Sequence, residues 1–452
     1  MKKVYFLTVA AMALTLAFQG CSNNDDVVNG ENISIGEPTS MQLMISAPKA
    51  PATYAPSDPN ASEDEVTIKN VRVLIYEQTA TSFILEQVTD YLLSTDFEPI
   101  PEKDAYQLKV GSKISTTTGV KKIYVAMNYT GALPEEGSSI GKINEQIVTL
   151  ATANALSNGT AGFAMFSTAA TDATLVTEDN TDYATANKKT VTVKRLVAKV
   201  SVQESETLST NNKISIDGGV LSNLQFALNN INKTSYLLQK LVGSSPSVVQ
   251  DNNWESSIPD NFFKIAYDPS SPDYRPVDAY AATINPVYAP ENTAQIYDQD
   301  GNNLTYVSVR AQFVPDFFSD ENGESKGSNI GNAPKTFWTV TRTNGQLYYF
   351  DREKESEDFA KNYSDSQRSD KYVNGFCYWR GYLNVNGTPD PLISGSRAGK
   401  FDVLRNVYYK ASILKIKTLG YPTDQGKVTE PTTLLIDVSI EPWQLHIDDW
   451  EF

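Results

Sequence analysis

Short runs of alternating or β-branched residues dominate the chain after residue 65, and they constrain its fold more than any other feature. The main runs are VTIKNVRVLIYE (66–77), AYQLKV (105–110), KKIYVAMN (121–128), TVTVKRLVAKVSVQ (190–203), LTYVSVRAQFVP (304–315), TFWTVT (336–341), LYYF (347–350), YVNGFCYWRGYLN (372–384) and VLRNVYYKASILKIKTLG (403–420). Alternation sends successive side chains to opposite faces, which is typical of half-buried β-strands. Asn344 and Gly345 separate TFWTVT from QLYYF, and this dipeptide predicts a tight β-hairpin.

Helical periodicity is scarce. The segment INEQIVTLATANAL (143–156), with Ile143, Ile147 and Leu150 at helical spacing, predicts one amphipathic helix. Many short strands joined by loops rich in Gly, Pro, Asn and Ser predict an all-β fold of paired antiparallel sheets with few short helices. We find no internal repeat of fixed period.

The length of 452 residues suits two domains of about 150–250 residues each. The polar stretch SETLSTNNKIS (204–214) lies near the middle of the chain. We therefore place the domain boundary near residue 205.

The N-terminus has the form of an export signal. Lys2 and Lys3 precede the apolar run VYFLTVAAMALTLAF, which is too short to span a membrane as a helix, and the segment ends in QGC. Residues 1–20 therefore predict a signal peptide, and Gly20-Cys21 resembles a bacterial lipobox whose cysteine is acylated, with Phe18 where Leu is usual. The alternative is a plain signal peptide with an incidental cysteine. A polar stretch follows Cys21 as a flexible tether, so we predict a lipoprotein held at the outer membrane by acyl chains.

The charge and the cysteines exclude several classes of function. The chain has 38 Lys and Arg against 54 Asp and Glu, a formal charge of −16, which disfavours nucleic acid as a partner. Only two cysteines occur, Cys21 and Cys377, so the sequence predicts no disulfide framework. Cys377, in FCYW, is predicted to be a buried, inert thiol.

The sequence offers no recognisable catalytic or metal site. Its single histidine is His446 in WQLHIDDW, so a His-based metal cluster or a Ser-His-Asp triad has no other histidine to use. DQDGNN (298–303) resembles the start of a calcium loop, but Gly301 comes two positions early and Val309 stands where the closing Glu belongs. We interpret it as a polar turn. The sequence therefore predicts an architectural or binding protein with no enzyme activity, cofactor or metal.

Both ends of the chain carry alternating strands. MQLMISA (41–47) alternates with Met41, Leu43 and Ile45 on one face, and it is followed by a basic residue and a Pro-rich stretch. In TLLIDVSIEPWQLHIDDWEF (433–452), one face carries Leu434, Ile436, Val438 and Ile440. Pro442 interrupts this strand, and Trp443 follows with the opposite parity. The simplest interpretation of the terminal segment is a final strand that pairs within its own sheet.

Taken in order, these segments resemble the fimbrillins of type V pili, with the strongest likeness to the major subunit of the short fimbriae of anaerobic Gram-negative bacteria. The resemblance runs from the lipobox to the last residue and is carried by MQLMISAPK, VTVKRLVAKVSV, TYVSVRAQFVP, NGQLYYF, YVNGFCYWRGYLN, VLRNVYYKASILKIKTLGY and DVSIEPWQLH. It implies two tandem transthyretin-like antiparallel β-sandwich domains, at residues 50–204 and 205–432. It also implies a cell-surface fimbria that supports adhesion.

The resemblance further implies a route of assembly. A trypsin-like protease removes a propeptide, residues 21–49, by cutting between Lys49 and Ala50, and so takes away the strand that contains Met41, Leu43 and Ile45. Residues 433–452 of a neighbouring, identical or related pilin subunit then fill the groove, head to tail, with a donor strand that contains Leu434, Ile436, Val438, Ile440 and Trp443. Further partners implied are the processing protease, the outer membrane through the lipid on Cys21, and a host receptor or glycan.

One departure from the family concerns the cut. The family usually cleaves after Arg, but no arginine occurs between Cys21 and Arg72, and the candidate residue is Lys49. An uncut subunit would resemble the family's anchor proteins, which keep their lipid and end the filament at the membrane. The alternatives to a shaft subunit are therefore an uncleaved anchor or accessory pilin, and a surface lipoprotein that binds glycans.

Overall fold

The computed structural model describes residues 36–47, 65, 67–100, 105–158, 161–177, 185–243, 248–254, 259–280, 282, 285–295, 300–329, 331–384, 401–423 and 434–442. Strands dominate these residues, and the predicted all-β fold with few short helices is confirmed. The α-helices are α1 (Leu93–Asp96), α2 (Gly141–Asn144) and α3 (Glu353–Asn362), and short 3-10 turns occupy Val110–Ser112, Thr185–Asn187, Pro259–Asn261 and Val373–Gly375. None of the helices in this part of the chain has the length and apolar character that a membrane span needs.

The N-terminal half forms one large sheet. The strands of this half are β1 (Pro38–Ser46), β2 (Asn70–Gln78), β3 (Phe83–Leu92), β4 (Phe97–Pro99), β5 (Ala105–Leu108), β6 (Ile114–Thr117), β7 (Gly119–Met127), β8 (Ile147–Thr149), β9 (Ser157–Asn158), β10 (Gly162–Phe163), β11 (Met165–Ser167), β12 (Thr171–Leu175) and β13 (Lys188–Arg195). Ten of them form the large sheet, while β9 pairs with β10 and β8 pairs with a strand of the C-terminal half. The sheet order is β3-β2-β7-β11-β13-β1-β5-β4, with β12 paired to β7 and β6 paired to β1. The first strand of the described residues therefore lies inside the sheet rather than at its edge.

The C-terminal half contains smaller sheets. Its strands are β14 (Val197–Glu204), β15 (Lys213–Ile216), β16 (Gly219–Asn229), β17 (Ile231–Asn232), β18 (Thr234–Tyr236), β19 (Lys240–Val242), β20 (Val248–Gln250), β21 (Phe262–Phe263), β22 (Arg275–Pro276), β23 (Val287–Pro290), β24 (Tyr306–Pro315), β25 (Phe317–Ser319), β26 (Ser325–Ser328), β27 (Phe337–Arg342), β28 (Leu347–Phe350), β29 (Ser366–Tyr372), β30 (Phe376–Tyr382), β31 (Val407–Ile416) and β32 (Leu434–Pro442). One sheet has the order β23-β14-β31-β32, and a second has the order β15-β16-β24-β30 with β22 paired to β16.

These two sheets pack face to face. Both contribute fully buried side chains to one apolar core, Val200, Val202 and Ala411 from the first sheet and Leu221, Val309 and Cys377 from the second. Two sheets that share a core in this way form a β-sandwich. The residues between β24 and β30 add a third sheet, β28-β27-β29, which packs with α3 around Val340, Phe350 and Phe359.

The two halves have separate cores, which divide between Val197 and Ala198. The N-terminal core takes buried residues from Met41 to Val197, joined by Leu237 and Tyr408, and the C-terminal core takes residues from Ala198 to Ile416. Since β14 already pairs with β23 and β31, we propose that the domains meet near residue 197. The polar stretch at 204–214, on which the boundary near 205 was predicted, contains a turn and the start of β15.

Two ladders in these sheets are parallel, which the sequence did not predict. β1 runs parallel to β13, and β14 runs parallel to β31, while the other ladders between named strands are antiparallel in the described residues. Parallel neighbours need a long connection, and both pairs join strands that are far apart in the chain. The sheets that contain them are therefore mixed.

The helix predicted at 143–156 is wrong. Only α2 is helical there, and Ile147, Val148 and Thr149 form β8, which pairs with β18. Val148 and Leu150 are buried while Ile147 is partly exposed, so burial alternates as in a strand. Three consecutive β-branched residues and a pairing partner from the C-terminal half outweigh the helical spacing of Ile143, Ile147 and Leu150.

The hairpin predicted at Asn344 and Gly345 is confirmed. β27 and β28 pair antiparallel, with Thr341 opposite Leu347, and Gly345 has the positive φ of 84° that the turn requires. The interpretation of DQDGNN as a turn also agrees with the part of it that is described, since Gly301 has a φ of 69°.

Candidate functional site: the buried first strand

β1 has ladder partners on both of its sides, each over a part of its length. On one side it runs parallel to β13, from Gln42 opposite Lys188 to Ser46 opposite Thr192. On the other side it is antiparallel to β6, at Pro38 to Met41, and then to β5, at Met44 to Ser46. A strand in this position satisfies the backbone groups of both neighbours, so its loss would leave two unpaired strand edges facing each other.

Both faces of β1 are buried. Met41, Leu43 and Ile45 have 0% of their surface exposed and Ala47 has 1%, and all four belong to the N-terminal core. The opposite face is also covered, because Ser40, Gln42, Met44 and Ser46 are at most 6% exposed. The space that β1 fills between β13 and the pair β5 and β6 is called the β1 groove below. Without β1 it would be a deep, largely apolar trough.

Asn187, at the entrance to β13, binds the beginning of β1. Its Nδ2 donates to Ser40 O at 3.0 Å, to Thr39 Oγ1 at 3.1 Å and to Val176 O at 2.8 Å. Its Oδ1 accepts from the N–H of Val176 at 2.9 Å, and the Thr39 hydroxyl donates to Val176 O at 2.7 Å. The Asn187 side chain is completely buried. This network fixes the strand at one point along its axis.

The β6 wall of the groove has support that does not involve β1. In the described sheets β6 pairs only with β1, but its Thr116 and Thr117 hydroxyls donate to Glu86 Oε1 on β3 at 3.0 and 3.2 Å. Lys121 on β7, fully buried, lies 2.8 Å from the Glu86 carboxylate. Side chains therefore attach β6 to β3 and β7 through contacts that do not involve β1.

The C-terminal strand β32 lies at the edge of its own sheet. It pairs antiparallel with β31, from Val407 opposite Pro442 to Ile416 opposite Leu434, with a register shift between Ile413 and Lys415. Val438 is partly buried against the C-terminal core. In the part of the chain that the structure describes, β32 is the last strand of the sheet order, so this ladder joins it on one side only.

The remaining predicted site residues fall outside the described residues or are described only in part. Leu434, Ile436 and Ile440 lie in β32, but only the backbone of these three is described. Cys21, Lys49, Ala50, Trp443 and His446 lie outside the described residues. The strand assignment for 41–47 agrees with β1, while its removal, the cut and the acylation stay predictions.

Two other expectations concern reactive groups. Cys377 is free and completely buried, and burial raises the pKa of its thiol, so a reactive thiolate is disfavoured there. Within the described ranges, no group of three or more His, Cys, Asp and Glu side chains is arranged to hold a metal ion.

Sequence reasoning missed three features of this site. It did not show that the polar face of β1 is buried, that β13 is the parallel neighbour, or that Asn187 binds the strand. The asparagine stands in a polar stretch, ATANKK, which carries no signal of such a role. The burial of Gln42 and Ser46 shows that β1 is internal, but the sequence does not reveal this burial. Alternation of apolar and polar residues instead predicts a strand with one face in water.

Two family models match this sequence. The model described as Major fimbrial subunit protein (FimA) matches residues 39–217, and the model described as Major fimbrial subunit protein type IV, Fimbrillin, C-terminal, matches residues 370–449. Together they cover more than half of the chain, including almost all of β1 and the whole of β32. The chain belongs to the fimbrillin family. This fimbrillin is therefore a structural subunit of a cell-surface fimbria, which assembles with related pilin subunits.

Solved structures similar to this fimbrillin extend over most of its length. A fimbrilin (fimA) from Porphyromonas gingivalis is 15% identical, with 91% of this chain and 99% of that chain covered and a TM-score of 0.45. A fimbrial assembly protein from Parabacteroides distasonis is 14% identical, with coverage of 90% and 97% and a TM-score of 0.37. The tip fimbrial protein Mfa3 from Porphyromonas gingivalis, with a C-terminal truncation, is 12% identical, with coverage of 89% and 100% and a TM-score of 0.41. Among curated protein sequences none is significantly similar to the chain.

Proposed function

We propose that this fimbrillin is a shaft subunit that polymerises by strand exchange and supports adhesion. It is exported as a lipoprotein acylated on Cys21 and reaches the outer membrane. A protease then cuts between Lys49 and Ala50 and releases β1, and residues 433–452 of the next subunit fill the β1 groove. The observation that carries the proposal is the place of β1, which is buried on both faces and paired on both sides although it precedes the proposed cut.

The apolar content of the groove provides the driving force. Burial of three large side chains, at about 1.5–3 kcal/mol each, stabilises the sheet by roughly 5–9 kcal/mol before ordering costs. Leu434, Ile436, Val438 and Ile440 alternate with the same two-residue spacing as Met41, Leu43, Ile45 and Ala47. The terminal segment therefore offers side chains of similar size at the core positions of Met41, Leu43 and Ile45.

The change of position also favours transfer of β32. At the edge of its own sheet, β32 has a ladder to β31 alone among the described strands. In the groove the same backbone would pair with β13 on one side and with β5 and β6 on the other. An internal position also shields the strand from water on both faces, as β1 is shielded now.

The attached β1 prevents early assembly. While the chain is intact, β1 fills the groove at a high effective concentration because it belongs to the same molecule. A neighbour's segment cannot compete until the cut releases β1. A subunit that is never cut keeps β1 in its groove and cannot accept a neighbour's strand. Such a subunit would end a filament, as expected for an uncleaved anchor pilin.

Head-to-tail transfer also explains a filament rather than a closed dimer. The groove lies in the N-terminal sheet, whereas β32 belongs to a C-terminal sheet, so donor and acceptor surfaces differ. When each subunit binds the next through two different surfaces, the subunits form an open filament, unless the rotation between neighbours closes them into a ring.

Deletion of residues 433–452 tests the proposal. We expect this variant to remain a folded monomer by near-UV circular dichroism and to form no fimbriae after processing. Because the deletion also removes β32 from its own sheet, Val438→Asp provides a second variant of full length. Val438 is only partly buried in its own domain, but Asp in the core of the groove would block transfer. Normal fimbriae from both variants would contradict the proposal.

A further inference from the structure

The two strands named in the proposed exchange have matching sequences. PTSMQLMIS, residues 38–46, and PTTLLIDVS, residues 431–439, align without a gap. Pro38, Thr39 and Ser46 are matched by the identical Pro431, Thr432 and Ser439. Four further positions change only between similar residues, Ser to Thr, Met to Leu, Leu to Ile and Ile to Val. Both segments are aligned from their N-terminal to their C-terminal ends, so matched residues follow one another in the same order in the two strands.

We propose that the transferred strand begins at Pro431 and enters the β1 groove in the direction and register of β1, parallel to β13. Each residue of 431–439 takes the place of its sequence match in 38–46. The inference rests on the proposed strand exchange and specifies its geometry. Two polar contacts in the groove, at Asn187 and at Thr190, fix this register.

The first contact is the network around Asn187. In this register Thr432 replaces Thr39, so its hydroxyl meets Val176 O and Asn187 Nδ2, which now lie 2.7 and 3.1 Å from Thr39 Oγ1. The Thr433 carbonyl replaces that of Ser40, the second acceptor of the Asn187 amide. The transferred strand thus offers the completely buried Asn187 amide a hydroxyl followed by a carbonyl, in the same order as β1 does. Without them, that amide would lose two of its three acceptors.

The second contact concerns the position where the two strands differ most in chemistry. Met44 lies opposite Thr190 in the parallel ladder and opposite Gln107 in the antiparallel one. The Thr190 hydroxyl is buried and has no hydrogen-bond partner while β1 fills the groove. In the proposed register Asp437 replaces Met44, and its carboxylate is the acceptor that Thr190 lacks. The amide of Gln107 offers a further donor from the other side, and Lys188 lies two residues before Thr190 on the same face.

Other registers lose both contacts. A shift of one residue turns Asp437 towards the apolar core. A shift of two residues in one direction places Leu434 against Asn187, and in the other direction it places Thr432 at the core position of Met41. Each shift leaves a buried polar group without its partner. At the position of Met44 the transferred strand therefore offers Thr190 a carboxylate acceptor, whereas β1 offers only a thioether.

Cysteine pairs in the full-length chain measure the register in assembled fimbriae. Ser46 lies opposite Thr192, so Thr192→Cys with Ser439→Cys is the pair expected to cross-link between subunits under mild oxidation. Thr192→Cys with Asp437→Cys, and Thr192→Cys with Glu441→Cys, report shifts of two residues. We expect disulfide-linked ladders on denaturing gels for the first pair only. Cross-linking of a shifted pair with the first pair silent would overturn the register and leave strand exchange standing.

Two single substitutions test the polar contacts without cysteines. We expect Thr432→Val, and separately Asp437→Met, to speed subunit dissociation from fimbriae about tenfold, while the unassembled subunit unfolds at the wild-type urea concentration. Thr429→Val, outside the matched segment, is the control and should dissociate at the wild-type rate. Wild-type dissociation of both variants contradicts the register. Fimbriae that form normally without residues 433–452 would overturn the proposed exchange itself.

Discussion

The Glu65 carboxylate lies 3.0 Å from the ammonium group of Lys199, and neither side chain has any exposed surface. Tyr288 donates its hydroxyl to the same carboxylate at 2.5 Å, and Arg195 donates to the Glu65 carbonyl at 2.9 and 3.1 Å. Glu65 follows the proposed cut in sequence, and its partners lie where the two cores divide. This buried ion pair ties Glu65 to β14 at the place where the two cores divide.

Loss of this ion pair should strongly destabilise the subunit. We expect Lys199→Met to lower the free energy of unfolding by about 3–5 kcal/mol, because it leaves the Glu65 carboxylate buried without its counter-charge. Urea denaturation of the uncut monomer measures the change. Lys354→Met is the matched control, since Lys354 is 71% exposed in its pair with Asp358. The control should unfold at the wild-type urea concentration, and an equal response of both variants would contradict the assignment.

We expect β1 to stabilise the uncut monomer and the transferred β32 to stabilise the assembled fimbriae. We expect Leu43→Ala to destabilise the uncut monomer by about 2–5 kcal/mol, because Leu43 is completely buried in the N-terminal core. Fimbriae assembled from this variant should resist denaturant like wild type, since the cut removes Leu43. Ile436→Ala should show the larger loss in the fimbriae. A Leu43→Ala defect that persists unchanged in assembled fimbriae would count against strand replacement.

Processing should depend on Lys49. We expect Lys49→Gln to accumulate as a lipidated, uncut precursor that keeps β1 and does not polymerise, because a trypsin-like protease requires a basic residue before the cut. Immunoblots of membrane and fimbrial fractions measure the precursor. Lys69→Gln, at an exposed position just before β2, is the control and should be processed normally. Full processing of the Lys49 variant would place the cut elsewhere.

Stability should depend on pH through Asp251. Burial raises the pKa of this carboxyl to about 7, although it accepts hydrogen bonds from Thr293 N, Asn253 N and Asn232 Nδ2. Between about pH 4 and pH 7 Asp251 then binds a proton in the folded protein but not in the unfolded chain, so its contribution to the free energy of unfolding falls as the pH rises. We expect Asp251→Asn to flatten this part of the curve in urea denaturation from pH 4 to pH 8. The same slope in variant and wild type would refute the contribution of Asp251.

Much of the fold could be predicted from the sequence, because strands carry their signal locally. The alternation in 121–128 and 304–315 predicts strands that correspond to β7 and β24, and Asn344 and Gly345 predict the hairpin between β27 and β28. Pairing between distant strands carries no such local signal. The parallel ladder of β1 and β13 joins residues near 44 to residues near 190, and no pattern in either strand specifies the other. The helix at 143–156 was wrong for a related reason, since the partner of β8 is β18, far along the chain.

The candidate site was predictable only in part. The alternation of Met41, Leu43 and Ile45 predicts the strand and its core face. The burial of the opposite face depends on neighbours that the sequence does not identify. Asn187 and Thr190 contact the strand in the groove because the fold places them beside β1. An asparagine or a threonine at these positions of the sequence does not by itself predict such contacts. The likeness of 38–46 and 431–439 was present in the sequence, but only the contacts of Thr39 and Met44 show which matched positions matter.

The N-terminal sequence of subunits isolated from assembled fimbriae tests the central claim most directly. We predict a start at Ala50 and no peptide from 41–47 by mass spectrometry of the fimbrial fraction, because β1 must leave before a neighbour's strand can enter. Fimbriae whose shaft subunits all retain 41–47 would contradict the account, since the groove would then be filled by β1 and closed to the next subunit.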